Sequence, residues 1–174
     1  MNLDIEKAKS KTKNKLINFL ESFDIDSKII IANVRKSRNN IVGYYSSNSQ
    51  FRSKLRIVVD FKKIIEYEEN NWLIDSALQI DMTVFHEYAH SMAEYISWIK
   101  SYHLHDKTNV ACNEAMKIID CSNLTWQHEF SNEELFAEAF AEWAVDDCND
   151  RYCYPFWSDF MRCYSKILKI TNNI

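Results

Sequence analysis

Glycine and proline are almost missing: Gly43 and Pro155 are the single examples of each in 174 residues. Average usage of about 7% and 5% would give roughly twenty. One glycine cannot build a G-x-x-x-x-G-K or G-x-G-x-x-G phosphate loop, so nucleotide binding of those kinds is excluded. So few special turns also disfavour many-stranded sandwiches and barrels. No run approaches the roughly 20 apolar residues that span a bilayer. The opening residues, Met1-Asn2-Leu3-Asp4-Ile5-Glu6-Lys7, lack the apolar core of a signal peptide. The expectation is a cytoplasmic protein with no membrane partner, delivery to a host by another route being left open. The five cysteines (Cys112, Cys121, Cys148, Cys153 and Cys163) form no C-x-x-C pair and are odd in number. They read as free thiols in a reducing compartment rather than as a disulfide framework or zinc ribbon.

What remains is ordinary for a globular chain, with 47% hydrophobic and 26% charged residues. The length suits one domain over residues 1–174. The charge is unevenly spread. Residues 1–63 hold 14 basic and 6 acidic side chains, and residues 64–174 hold 7 basic and 19 acidic ones. The early lysines, Lys7, Lys9, Lys11, Lys13 and Lys15, alternate by two and so spread around a helix instead of forming one basic face. No aromatic platform is interleaved with them, so nucleic acid is not the expected partner. The composition leaves the oligomeric state open.

Periodicity predicts a helix over about residues 4–23, with Leu16, Ile17, Phe19, Leu20 and Phe23 as its apolar stripe. Short β-branched runs predict strands at 28–34, 41–45 and 55–60. Beyond Asp60 the pattern turns helical. Helices are expected over about 81–102, capped by Thr83 or Asp81, and over about 132–148, capped by Ser131 or Asn132. A last one is expected over about 155–170, with Pro155 in its first turn. The fold class is α+β: an N-terminal helix, a small antiparallel or mixed sheet, then helices.

The chemistry concentrates in His86-Glu87-Tyr88-Ala89-His90, an H-E-x-x-H on a predicted helix. Histidines at i and i+4 share one face, so both imidazoles reach one Zn²⁺ at about 2.1 Å. Glu87 lies about 100° further round, placed to take a proton without ligating. A catalytic zinc needs a third protein ligand. Ala93 and Ile96 occupy the positions where a metzincin carries Gly and His, so that class is excluded. Acids on the later helix are the better source. Glu134, Glu138, Glu142 and Asp146 recur every fourth residue with no Lys or Arg among them. Such a row repels itself unless a cation lies nearby. One glutamate would ligate, and the next would accept the free N–H of a ligand imidazole.

H-E-x-x-H followed by Asn132-Glu133-Glu134-Leu135-Phe136-Ala137-Glu138-Ala139-Phe140 resembles the gluzincin peptidases of the anthrax lethal factor and Pro-Pro endopeptidase type. The resemblance covers residues 83–91 and 131–143. It implies a zincin-like fold and a zinc endopeptidase activity with a peptide or protein substrate. It also implies His86, His90 and Glu134 as ligands of one Zn²⁺, Glu87 as general base and Glu138 as the supporting acid. The family places an oxyanion-binding Tyr seven residues before the ligand Glu, where this chain has Gln127. His128, Gln127 itself or Tyr154 would then supply that donor. Gluzincins hold substrate along the edge of their sheet, which places the edge strand at Gly43, Tyr44 and Tyr45. The alternative is a non-catalytic zinc-binding module of the same fold.

Overall fold

The computed structural model describes residues 4–35, 42–47, 55–70, 75–102, 132–145 and 154–171. Helix α1 runs Ile5–Glu21. Asp4 starts it, its carboxylate accepting from the amides of Glu6 at 3.1 Å and Lys7 at 3.2 Å. Leu16 and Leu20 are buried on its inner face. The chain then turns at Asp24, whose φ of 63° is left-handed, a conformation that Asp tolerates better than most residues. Lys169 pairs with the Asp24 carboxylate, and the Ser165 hydroxyl donates to its carbonyl at 3.4 Å.

Three strands follow: β1 (Ile29–Asn33), β2 (Gly43–Ser47) and β3 (Leu55–Val59). The sheet order is β1-β3-β2, with β1 parallel to β3 and β2 antiparallel to it. Among the described strands the sheet is therefore mixed, and β2 is an edge. Ile29, Ile31, Leu55, Ile57 and Val59 alternate onto the buried face. Asp60 ends β3 and caps helix α2 (Phe61–Glu69) by accepting from the Lys63 amide at 3.1 Å.

Helix α3 spans Ser76–Tyr102 and begins earlier than the residue 81 expected from sequence. Its cap is Asp75, which accepts from the amides of Ala77 at 2.8 Å and Leu78 at 3.3 Å. The two residues that looked like caps lie inside the helix. The Thr83 hydroxyl donates back to the Gln79 carbonyl at 2.8 Å. Asp81 pairs with Lys15 at 3.1 Å.

Helices α4 (Asn132–Val145) and α5 (Tyr154–Thr171) complete the described elements. Phe85 from α3 meets Phe19 of α1 and Phe140 of α4, with ring centroids 5.3 and 6.4 Å away. Trp143 of α4 stacks on Trp157 of α5 at 6.0 Å. Phe85, Phe140 and Trp157 are each at most 1% exposed. Lys15 adds a polar tie, since its ammonium also reaches the Val145 carbonyl at the end of α4, at 3.4 Å. Together these contacts fix α4 against α3. Cys163, the one described cysteine, is half-buried. No helix among the described residues is long and apolar enough to cross a membrane.

Candidate metal centre

The middle of α3 turns His86 and His90 out of its buried face while Val84, Phe85, Tyr88, Ala89 and Met92 stay in the core. That helix phase aims both imidazoles at the first turn of α4. His86 Nε2 lies 3.2 Å from Glu134 Oε2, and His90 Nε2 lies 3.3 Å from Glu134 Oε1. The two Nε2 atoms are 3.0 Å apart. One ligand atom from each of the three residues lies within 4.8 Å of the others, so the group can hold a metal ion. Glu134 was drawn from a later helix by its neighbours' packing: Phe136, Ala137, Phe140 and Ala141 are all buried, which leaves Glu134 and Glu138 on the opposite, exposed side.

Glu87 stands apart from the triad. Its side chain is buried, and the backbone amide of Tyr45 favours its ionised form. Burial first, and the Glu134 charge second, push its carboxyl up to about 7, with the Tyr45 amide opposing them. His86 moves the other way. Its pKa is lowered, chiefly by burial and then by His90, against the opposing charges of Glu134 and Glu138. Glu138 acts on His86 by charge; among the described residues it makes no hydrogen bond to either imidazole.

The two shifts predict opposite trends of stability with pH in the metal-free protein. A carboxyl whose folded pKa is raised binds more protons folded than unfolded, so its contribution falls as pH rises from about 4.5 towards 7. A histidine with a lowered folded pKa gives the reverse slope below its ordinary value. Subtracting the Glu87→Gln unfolding curve from that of the parent isolates the carboxyl. The difference is expected to fall between pH 4.5 and 7 by on the order of 3 kcal/mol. Urea unfolding at stepped pH in chelator measures it; a difference independent of pH would contradict the assigned burial.

Gly43 has a steric role. A Cβ built there would meet Thr83 Cγ2 at 2.6 Å and Glu87 Oε1 at 3.3 Å. The edge strand can lie this close to α3 only because position 43 has no side chain. Glycine inside a strand is the sequence sign of such an approach. Gly43→Ala is expected to cost about 1–3 kcal/mol by overpacking. Adding Thr83→Ser, which removes the obstructing methyl, should recover part of that loss in a double-mutant cycle.

Two residues on from Gly43, the Tyr45 ring lies nearly parallel to the His90 imidazole, 6.2 Å between centroids and 12° between planes. Its hydroxyl donates to Glu94 Oε2 at 3.1 Å. Tyr44 faces outward and is 42% exposed. Val42, Gly43, Tyr44 and Tyr45 form one wall of a cleft of about 660 Å³, with His86, Glu87, His90, Glu134 and Glu138 opposite. The sequence thus placed the H-E-x-x-H group, Glu134, Glu138 and the edge strand in one site, but not the contacts of Tyr45 with His90 and Glu94. Gln127 and His128 lie outside the described residues, as does the side chain of Tyr154. Comparison with models of protein families, with curated proteins and with solved structures gives no match to this chain.

Proposed function

We propose that this chain is a zinc-dependent endopeptidase of the gluzincin type, with His86, His90 and Glu134 as the protein ligands. The observation that carries the reading is the triangle of donors beside a separate, buried carboxylate. Four ligands at about 2.0–2.1 Å in a tetrahedron stand about 3.3 Å from one another. Here the two Nε2 atoms are 3.0 Å apart, and the nearest carboxylate oxygens of Glu134, Oε2 for His86 and Oε1 for His90, lie 3.2 and 3.3 Å away. Two imidazoles and one carboxylate are a zinc donor set, and three protein ligands leave a tetrahedral ion one position open. Zinc held there would polarise a peptide carbonyl and lower the pKa of water to about 7.

The residues of the chain divide the remaining work. Glu87 accepts a proton from the attacking water and returns it to the departing amine. In the metal-free site burial raises its pKa to about 7. A bound dication would draw it lower. Glu138 adds negative charge beside His86. The edge strand β2 receives the peptide by main-chain pairing, and side chains along the cleft select it. Gln127 or His128 would donate to the oxyanion.

Purified protein is expected to carry one zinc per chain and to cleave a peptide library. Chelator should abolish cleavage and added zinc restore it. A zinc content well below one per chain after loading would overturn the metal assignment. Full zinc occupancy with no cleavage would favour the non-catalytic module, to which the glutamine at position 127 points.

A further inference from the structure

The pairing of β2 fixes which of its main-chain groups face β3 and which face away from it. The Asp60 amide donates to the Val42 carbonyl at 2.7 Å, so position 42 turns its peptide groups towards β3. In an antiparallel ladder the direction alternates with each residue. Positions 44 and 46 therefore also face β3, and Gly43, Tyr45 and Ser47 face away from it, on the outer side of β2 among the described strands. The other side of β3 agrees: the Leu55 amide donates to the Lys28 carbonyl and the Val59 carbonyl accepts from Val34, both towards β1. The Tyr45 amide thus points away from β3, and it favours the ionised form of Glu87. The side chain of the same residue lies along His90 and ends on Glu94, one turn further along α3.

We propose that Tyr45 is a positioning residue, tying the edge strand to the metal-binding helix at two successive points: its ring on His90 and its hydroxyl on Glu94. This rests on the peptidase reading for its consequence, though not for its geometry. A peptide laid on β2 is placed by the same strand that orients one ligand. A shift of that strand would move peptide and imidazole together, whereas loss of the Tyr45 side chain leaves His90 free to rotate about its own torsions. Tyr45 touches neither the reacting atoms nor the metal. Its effect passes through His90.

The test needs no turnover. In metal-free protein with ¹³C-labelled histidine, the ring current of Tyr45 contributes to the shifts of the carbon-bound protons of the near-parallel His90 imidazole. Tyr45→Phe keeps the ring and should keep the positions of the His90 signals. Tyr45→Leu and the strand-favouring Tyr45→Thr should move them to ordinary positions, and either variant serves if the other fails to fold. In the loaded protein, chelator competition should give a zinc affinity about 10-fold weaker for Leu or Thr, and within about twofold of the parent for Phe. That is the low end of the loss expected when a group supporting a ligand is removed. Unchanged His90 signals in Leu or Thr, or unchanged zinc affinity in a parent that binds zinc, would overturn the proposal. A parent that binds no zinc yet shows the ring shift would overturn the peptidase reading and leave the tie itself supported.

Discussion

Glu134→Ala is expected to strip the metal from the protein. The carboxylate offers one oxygen to the point faced by His86 and the other to that faced by His90, at 3.2 and 3.3 Å. Removing it leaves two imidazoles, and no other carboxylate among the described residues joins that group of donors. The loss of affinity should exceed the roughly 10- to 100-fold that follows when only a supporting group is removed. Glu138→Ala should fall inside that smaller range, because it acts on His86 through charge. Glu133→Ala should change little, since its position is rotated about 100° from Glu134 around the helix. Metal content after dialysis against a graded chelator separates the three. A protein that keeps zinc without Glu134 and loses it without Glu133 would mean that the ligand had been assigned one residue off.

The second large effect belongs to Glu87→Gln. Glutamine is close to the same size, so the helix and the edge strand should stay where they are. What it cannot do is hold a proton in one step and release it in the next. The expected outcome is full zinc occupancy with kcat lowered by about 10²- to 10⁴-fold, the usual share of general acid–base catalysis. KM should move little. Cleavage within tenfold of the parent would remove Glu87 from the mechanism whatever the metal content.

Much of this site could be read from local patterns, because its groups are set by helix periodicity. His86 and His90 one turn apart must share a face, and an unrelieved acidic row at Glu134, Glu138 and Glu142 signals a cation nearby. What could not be read depends on contacts between distant segments. Asp81 and Thr83 resemble caps by residue type, and only the lysine 66 residues earlier in the chain shows that Asp81 has other work. Asp75, the real cap, is just as typical, but the weak apolar pattern of Ser76 to Ile80 hid the extra turns. Tyr44 and Tyr45 are identical in sequence terms. Which of them points at His90 follows from strand register, fixed by pairings such as Tyr45 with Ile57. Gly43 did carry a signal, being a lone glycine within a strand, and that signal becomes specific only when α3 is laid beneath it.

The stacked indoles of Trp143 and Trp157 give the molecule an optical property. Their ring centroids are 6.0 Å apart at 20° in a buried setting, and Trp143 sits on the same helix as Glu134. Two such chromophores held this close couple their transitions, so their near-ultraviolet circular dichroism depends on the docking of one helix on the next. Near-ultraviolet dichroism vanishes when tertiary packing is lost while helical content persists. The protein therefore carries an intrinsic, label-free gauge of whether the helix that supplies the carboxylate is seated, and it can be followed through metal titration without any substrate.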